Sequence, residues 1–187
     1  MPTMDALRRA ADRNDVIGRA LAMGKVDFGS NVVQPAPARL VLATLTSLVG
    51  SVGADAVLVA LGTAIFPSTR GFVHFRFTDY TKLTIVGVII ACVAWPVVTR
   101  TSSAARWWFS RLAIAVTVAL LAPDLWIWTR GASGLAVLVL VVMHFAIAVV
   151  TYNALVRLAP ARVDYPAELG PARAMVSSVP PTEERSA

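Results

Sequence analysis

Charged residues are scarce in this sequence, and the scarcity limits the class of protein that it can encode. Asp, Glu, Lys and Arg make up 15% of the 187 residues, whereas 57% are hydrophobic. A soluble domain is about 25% charged and about 45–50% apolar. Most Lys and Arg residues lie before Leu40, shortly after Trp95 or after Val156, so long runs carry almost no charge. Such runs indicate membrane-spanning helices.

Cysteine is nearly absent, because Cys92 is the only one. A single thiol cannot form an internal disulfide or a cysteine-based zinc site. The sequence also lacks a Gly-rich phosphate loop, an HExxH motif and a Ser–His–Asp pattern suggestive of hydrolysis. We therefore predict no enzyme activity, no metal site and no cofactor. A lipid-modifying enzyme ranks last among the hypotheses, since only Asp79 and His74 would serve it near an interface.

The apolar runs predict an all-α fold, a polytopic bundle of four transmembrane helices. The expected spans cover residues 39–66, 82–98, 111–128 and 135–156. Around them, residues 1–37 form an N-terminal segment, residues 38–158 the transmembrane domain and residues 159–187 a Pro-rich tail. Two short amphipathic helices, at residues 3–13 and 14–24, are expected to lie on the membrane or a partner; an unstructured segment is the alternative.

The distribution of Lys and Arg predicts the orientation. Thirteen of the 17 lie in the N-terminal segment, the second connection or the C-terminal part, all on one side of the membrane. The other side holds four: Arg70, Arg76, Lys82 and Arg130. The positive-inside rule then places both termini in the cytoplasm, with the chain in the plasma (inner) membrane. The net charge of +6 fits cytoplasmic flanks that meet anionic membrane lipids, so we predict no nucleic-acid partner.

Three ionisable residues fall at membrane depth, where a charge is costly and each such residue is a functional hypothesis. At the rise of an α-helix, Asp55 lies about 24 Å beyond Arg39 and Asp124 about 20 Å beyond Arg111. His144 lies about 14 Å below the outer end of the fourth span. All three are expected in the outer half of the membrane at similar depths.

The sequence leaves the role of these residues open. A cluster of Asp55, Asp124 and His144 could relay protons, bind a cation or form a hydrogen-bonded clasp between helices. The clasp is the favoured interpretation. The small residues Gly50, Gly53 and Ala54 in the first span are predicted helix-packing positions, because they let neighbouring helices approach closely.

Two stretches carry a resemblance to a known family. They are LLAPDLWIW at residues 120–128 and VMHFAIAVVTYNALVRLAP at residues 142–160. They resemble a family of small actinobacterial four-helix membrane proteins of unassigned function, with a Pro-Asp pair in the third span and a Met-His pair in the fourth. The resemblance covers residues 38–158, and Pro123, Asp124, Met143 and His144 occupy the motif positions.

The layout also looks like the accessory membrane subunit of mycobacterial Mce lipid-import complexes, of the lipid-uptake-coordinator type. This resemblance implies a non-catalytic subunit that packs against a permease and its ATPase, and stabilises or regulates the permease. The alternative is a small oligomeric proton-coupled transporter that uses Asp55, Asp124 and His144. Four spans are few for a monomeric carrier, so the alternative requires oligomers.

Overall fold

The fold is an all-helical bundle of four long helices joined by short connections. A computed structural model of the chain describes residue 26 and residues 32–163. The helices are α1 (Pro37–Ile65), α2 (Phe77–Thr101), α3 (Ala105–Thr129) and α4 (Gly134–Leu158). Each is long and apolar enough to cross a membrane, so the prediction of a four-helix, multi-pass membrane protein is confirmed at this level. The predicted helices at residues 3–13 and 14–24, and most of the predicted tail, lie outside the described residues.

The helix boundaries follow from local sequence. Pro37 occupies the first position of α1, where its missing N–H costs no hydrogen bond, and α1 then runs unbroken through Gly50 and Gly53. Two 3-10 turns, Pro67–Thr69 and Val73–Phe75, connect α1 to α2. Gly131 has a φ of 94° in the connection from α3 to α4, a conformation that favours glycine. We call the end with these two connections the loop end, and the opposite end the terminal end.

A small β-ribbon closes the terminal end. Strand β1 (Val32–Val33) pairs antiparallel with strand β2 (Arg162–Val163), so the segments that enter and leave the bundle lie side by side. Gln34 extends this closure, because its side chain accepts a 2.8 Å hydrogen bond from the Thr99 hydroxyl at the end of α2.

The helices form a ring in which α1 packs most extensively on α4, and α4 also contacts α3. Glycines allow the close contact between α1 and α4. A Cβ added to Gly50 would lie 2.9 Å from Val150, and one added to Gly62 would lie 2.7 Å from Val139. The two glycines are twelve residues apart on α1, and the two valines are eleven residues apart on α4 in the opposite order. The helices are therefore antiparallel and stay in contact between these two points.

The buried side chains of α1 are mostly small or polar, whereas its large apolar side chains are exposed on the outside of the bundle. The buried residues of α1 are Ala43, Ser47, Ser51, Asp55 and Gly62, most of them one helical turn apart. Apolar side chains fill both ends. The terminal-end core contains Trp95, Phe109 and Leu155, and the loop-end core contains Tyr80, Val139, Leu140 and Met143. Lipid solvates the outer apolar faces, so polar groups inside find partners on other helices.

Candidate polar site at the loop end

The structure brings together the three ionisable residues that the sequence singled out. Asp55 on α1 is fully buried, Asp124 on α3 is 6% exposed, and His144 on α4 contacts Asp124. With Thr84 on α2 they form a group of four side chains, one from each helix, which we call the polar cluster. The sequence could set their depths, but it could not show that the four helices turn them towards one another.

Thr84 gives Asp55 its one hydrogen bond. The Thr84 hydroxyl donates to Asp55 Oδ2 over 2.6 Å, a short distance typical of a hydroxyl bound to a carboxylate. Among the described residues, the other carboxyl oxygen, Oδ1, has no hydrogen-bond partner although it is buried. A buried polar atom without a partner is costly, so Asp55 is only half satisfied.

His144 lies between a carbonyl and a carboxylate. Its Nδ1 is 2.9 Å from the Leu140 carbonyl oxygen and 3.1 Å from Asp124 Oδ2. A carbonyl oxygen only accepts, so Nδ1 carries the hydrogen and donates it to Leu140. The 3.1 Å contact with Asp124 Oδ2 has the length of an ion pair but not the geometry of a hydrogen bond, and Oδ2 has no hydrogen-bond partner among the described residues. Asp124 is therefore close to the ring without being fully satisfied by it.

Further groups at the loop end interact with the cluster electrostatically. His144 acts on both Asp55 and Asp124. Tyr80, one turn before Thr84 on α2, interacts with Asp55, and His74 in the first connection interacts with Asp124. His74 also makes an edge-to-face contact with Phe72, with ring centroids 5.2 Å apart.

Sequence analysis missed two members of this environment, Thr84 and Tyr80. Threonine and tyrosine are ordinary in membrane helices, so neither residue alone signals a site. Their spacing of four residues does place them on one face of α2, which was the available clue. The sequence indicates only that His74 lies near an interface, and its interaction with Asp124 depends on the folded connection.

The predicted packing residues fall in different environments. Gly50 lies against Val150 on α4, whereas Gly53 is exposed and a Cβ there would meet nothing within 4 Å. Ala54 is partly buried beside Asp55. Gly62, which the sequence did not single out, makes the closest glycine contact, with Val139.

No group of three or more His, Cys, Asp or Glu side chains suited to a metal ion occurs within residues 32–163. A cavity of about 240 Å³ lies at the terminal end, lined in part by Val32, Arg106 and Trp107, far along the helices from the polar cluster.

The fold and the cluster define a class of protein, a multi-pass helical membrane protein with a buried polar cluster contributed by all four helices. Comparisons with protein-family models, with curated proteins and with solved structures find no match to this chain.

Proposed function

We propose that this chain is a non-catalytic accessory subunit of a larger membrane complex, of the Mce lipid-transport type that its sequence resembles. The observation that carries the proposal is an unused small-residue face on α1. Thr46, Gly53, Ala60 and Ala64 are all exposed and lie seven, seven and four residues apart, on one side of the helix. The exposed Val49 and Val57 lie beside them on the same side. Small residues in a membrane helix allow another helix to approach closely.

Gly53 is the centre of this face. Glycine in the middle of a helix destabilises it by roughly 0.5–1 kcal/mol relative to alanine. Gly50 and Gly62 offset that cost by packing on α4, but Gly53 has open space around it. A helix of a partner such as a permease would fill that space. In this proposal the subunit stabilises or regulates the permease and performs no chemistry itself.

The test is a gentle purification of a tagged chain from its native membranes, followed by mass spectrometry. A permease and an ATPase are expected in fixed ratio with the chain. Gly53→Leu should abolish their recovery by filling the face. Gly87→Leu on α2 is the matched control, because a Cβ at Gly87 also meets nothing within 4 Å. Recovery of the chain alone, or equal recovery with Gly53→Leu, would contradict the proposal.

The orientation is part of the same proposal: both termini face the cytoplasm of the plasma membrane. The count of Lys and Arg supports it. Because Cys92 is the only cysteine, Cys92→Ala gives a cysteine-free background. In intact cells an impermeant maleimide should label Ser68→Cys in the first connection, and should label Ser103→Cys in the second only after permeabilisation. The reverse pattern would overturn the orientation.

A second candidate function, a small oligomeric proton-coupled transporter, is favoured by the polar cluster. Ionisable residues buried inside a membrane bundle often mark proton or ion pathways. The test is transport by the chain in reconstituted vesicles, compared with Asp55→Asn and His144→Ala. Transport that both variants leave untouched would rule this candidate out.

A further inference from the structure

The polar cluster contains a basic nitrogen and two buried carboxyl groups that remain incompletely hydrogen-bonded. We infer that Asp55, Asp124 and His144 form one proton-binding site within the bundle, and that this site exchanges protons with the loop end. The inference goes beyond the accessory-subunit proposal and specifies the site that the second candidate function would use. It does not depend on transport, because a chain that carries no proton across the membrane can still bind one.

The atom that takes the proton follows from the hydrogen bonds of the ring. Nδ1 already carries a hydrogen, which it donates to the Leu140 carbonyl. Neutral imidazole carries one N–H, so its lone pair is on Nε2, and Nε2 accepts the incoming proton. The product is an imidazolium whose positive charge lies 3.1 Å from Asp124 Oδ2 at the Nδ1 side.

The carboxyl groups provide the reason for binding. Asp55 is fully buried, and within residues 32–163 neither its Oδ1 nor the buried Oδ2 of Asp124 has a hydrogen-bond partner. Uncompensated charge at such sites costs several kcal/mol per ion, and an opposite charge nearby reduces that cost. His144 acts electrostatically on both carboxyl groups, so a proton on its ring compensates both of them.

Groups from every neighbouring element face this site. Asp55 comes from α1, Tyr80 from α2, Asp124 from α3, and His74 from the connection between α1 and α2. A carboxylate at Asp124 lies 3.1 Å from the His144 ring, and this pairing favours a positive charge on His144.

The depth of Asp124 indicates the side from which the proton arrives. Asp124 lies five residues before the end of α3, and His74 in the adjacent connection interacts with it. Towards the terminal end, Ser51 and Thr151 are hydrogen-bonded to each other over 3.3 Å and buried. Beyond them the terminal-end core packs around Trp95, which is 1% exposed. The terminal-end core therefore lies between the cluster and the terminal end.

Nitrogen NMR of the full chain, with ¹⁵N-labelled histidine in lipid vesicles, tests the inference. The chain has two histidines, and His74→Gln assigns the remaining signal to His144. Neutral His144 is expected as the Nδ1–H form, with conversion to imidazolium as the loop-end solution is acidified. Acidification of the terminal-end solution alone should leave the signal unchanged. Ser68→Cys in the Cys92→Ala background, labelled with an impermeant maleimide, reports the orientation of the vesicles.

Carboxyl variants separate a proton site from a passive contact. Asp124→Asn should reduce the imidazolium fraction of His144 at a given acidic pH severalfold, because it removes the opposite charge that lies 3.1 Å from Nδ1. Asp79→Asn, which removes a carboxylate from the first turn of α2 at the same end, is the control and should change little. An Nε2–H form, a ring that stays neutral in the wild-type chain, or a response to terminal-end pH would each overturn the inference.

Discussion

The two ends of the bundle differ in how completely their buried polar groups are satisfied. At the terminal end, Trp95 Nε1 donates to the Ala159 carbonyl over 2.9 Å, and the Thr99 hydroxyl donates to Gln34. The rings of Trp95 and Phe109 meet edge to face with centroids 4.9 Å apart. At the loop end, by contrast, Asp55 Oδ1 and Asp124 Oδ2 have no hydrogen-bond partner among the described residues.

This difference separates a structural region from a candidate functional one. Fully satisfied polar groups in a packed core rigidify a bundle and hold its chain ends in place. Incompletely satisfied carboxyl groups reduce stability, and they are retained where they have another role. The terminal end therefore fixes the helices, and the loop end holds the proton site that we infer.

The largest expected loss of stability comes from a substitution in the terminal-end core. Trp95→Ala should destabilise the chain by about 3–5 kcal/mol, because it empties a packed site and leaves the Ala159 carbonyl without its donor. Unfolding in mixed micelles, followed by circular dichroism, measures the loss. Trp126→Ala is the control, since Trp126 is 60% exposed and should matter little. Equal losses for the two variants would show that the terminal-end core is not the stabilising region.

The next largest effect tests whether the loop end is also closely packed. Gly62→Ala should cost about 1–3 kcal/mol, because the new Cβ would lie 2.7 Å from Val139 Cγ2 and 3.1 Å from Val139 Cγ1, and rotating the valine side chain cannot move both methyl groups away. The same unfolding assay applies. Val139→Ala should restore much of the loss in the double variant. Gly53→Ala, where the Cβ meets open space, should be neutral or slightly stabilising; a similar cost there would argue against this packing.

A smaller loss of stability is expected for the hydrogen bond between Ser51 and Thr151, midway between the two ends. Ser51→Ala removes the 3.3 Å hydrogen bond to Thr151 that joins α1 to α4. Hydrogen bonds between membrane helices average about 0.6 kcal/mol, so the unfolding free energy should fall by about that amount. A Ser51→Ala/Thr151→Val double variant should lose little more than either single variant. Additive losses would mean that the two hydroxyls act independently.

The smallest effect on stability is expected for a substitution of Asp55. This variant tests most directly whether the polar cluster at the loop end stabilises the bundle as the terminal-end core does. Asp55→Asn keeps the shape of the side chain and an oxygen that accepts from Thr84, while removing a buried charge. Stability should therefore stay within about 0.5 kcal/mol of wild type or rise. Thr84→Val, which removes the donor and leaves the carboxylate unpaired, should cost more. A loss of several kcal/mol for Asp55→Asn would make the cluster a structural clasp.

Sequence reasoning predicted what depends on composition and helical rise. The four helices follow from the apolar runs, and the similar depths of Asp55, Asp124 and His144 follow from counting residues. Their mutual contact did not follow, because each helix is apolar around much of its circumference and its rotation about its axis is weakly specified. The inward side of a helix is set by its neighbours, as the contact between Gly62 and Val139 shows.

Trp95 is a second residue whose inward orientation could not be predicted from the sequence. Near the end of a span, a tryptophan ordinarily indicates an interfacial position, and the exposed Trp126 and Trp128 fit that pattern. Trp95 instead points inwards, because Ala159 offers a free carbonyl just beyond α4 and Phe109 offers a ring. Both partners come from other parts of the chain, and no local pattern in the sequence identifies them.

Proton uptake by vesicle-reconstituted chain most directly tests the central claim that the loop end binds a proton. Acidification of the loop-end solution is followed with a pH indicator, for wild type and for His144→Gln, in samples matched for folded protein. The account predicts that wild type takes up about one more proton per chain than the variant. Equal uptake by the two proteins would contradict it and would leave the polar cluster with a structural role alone.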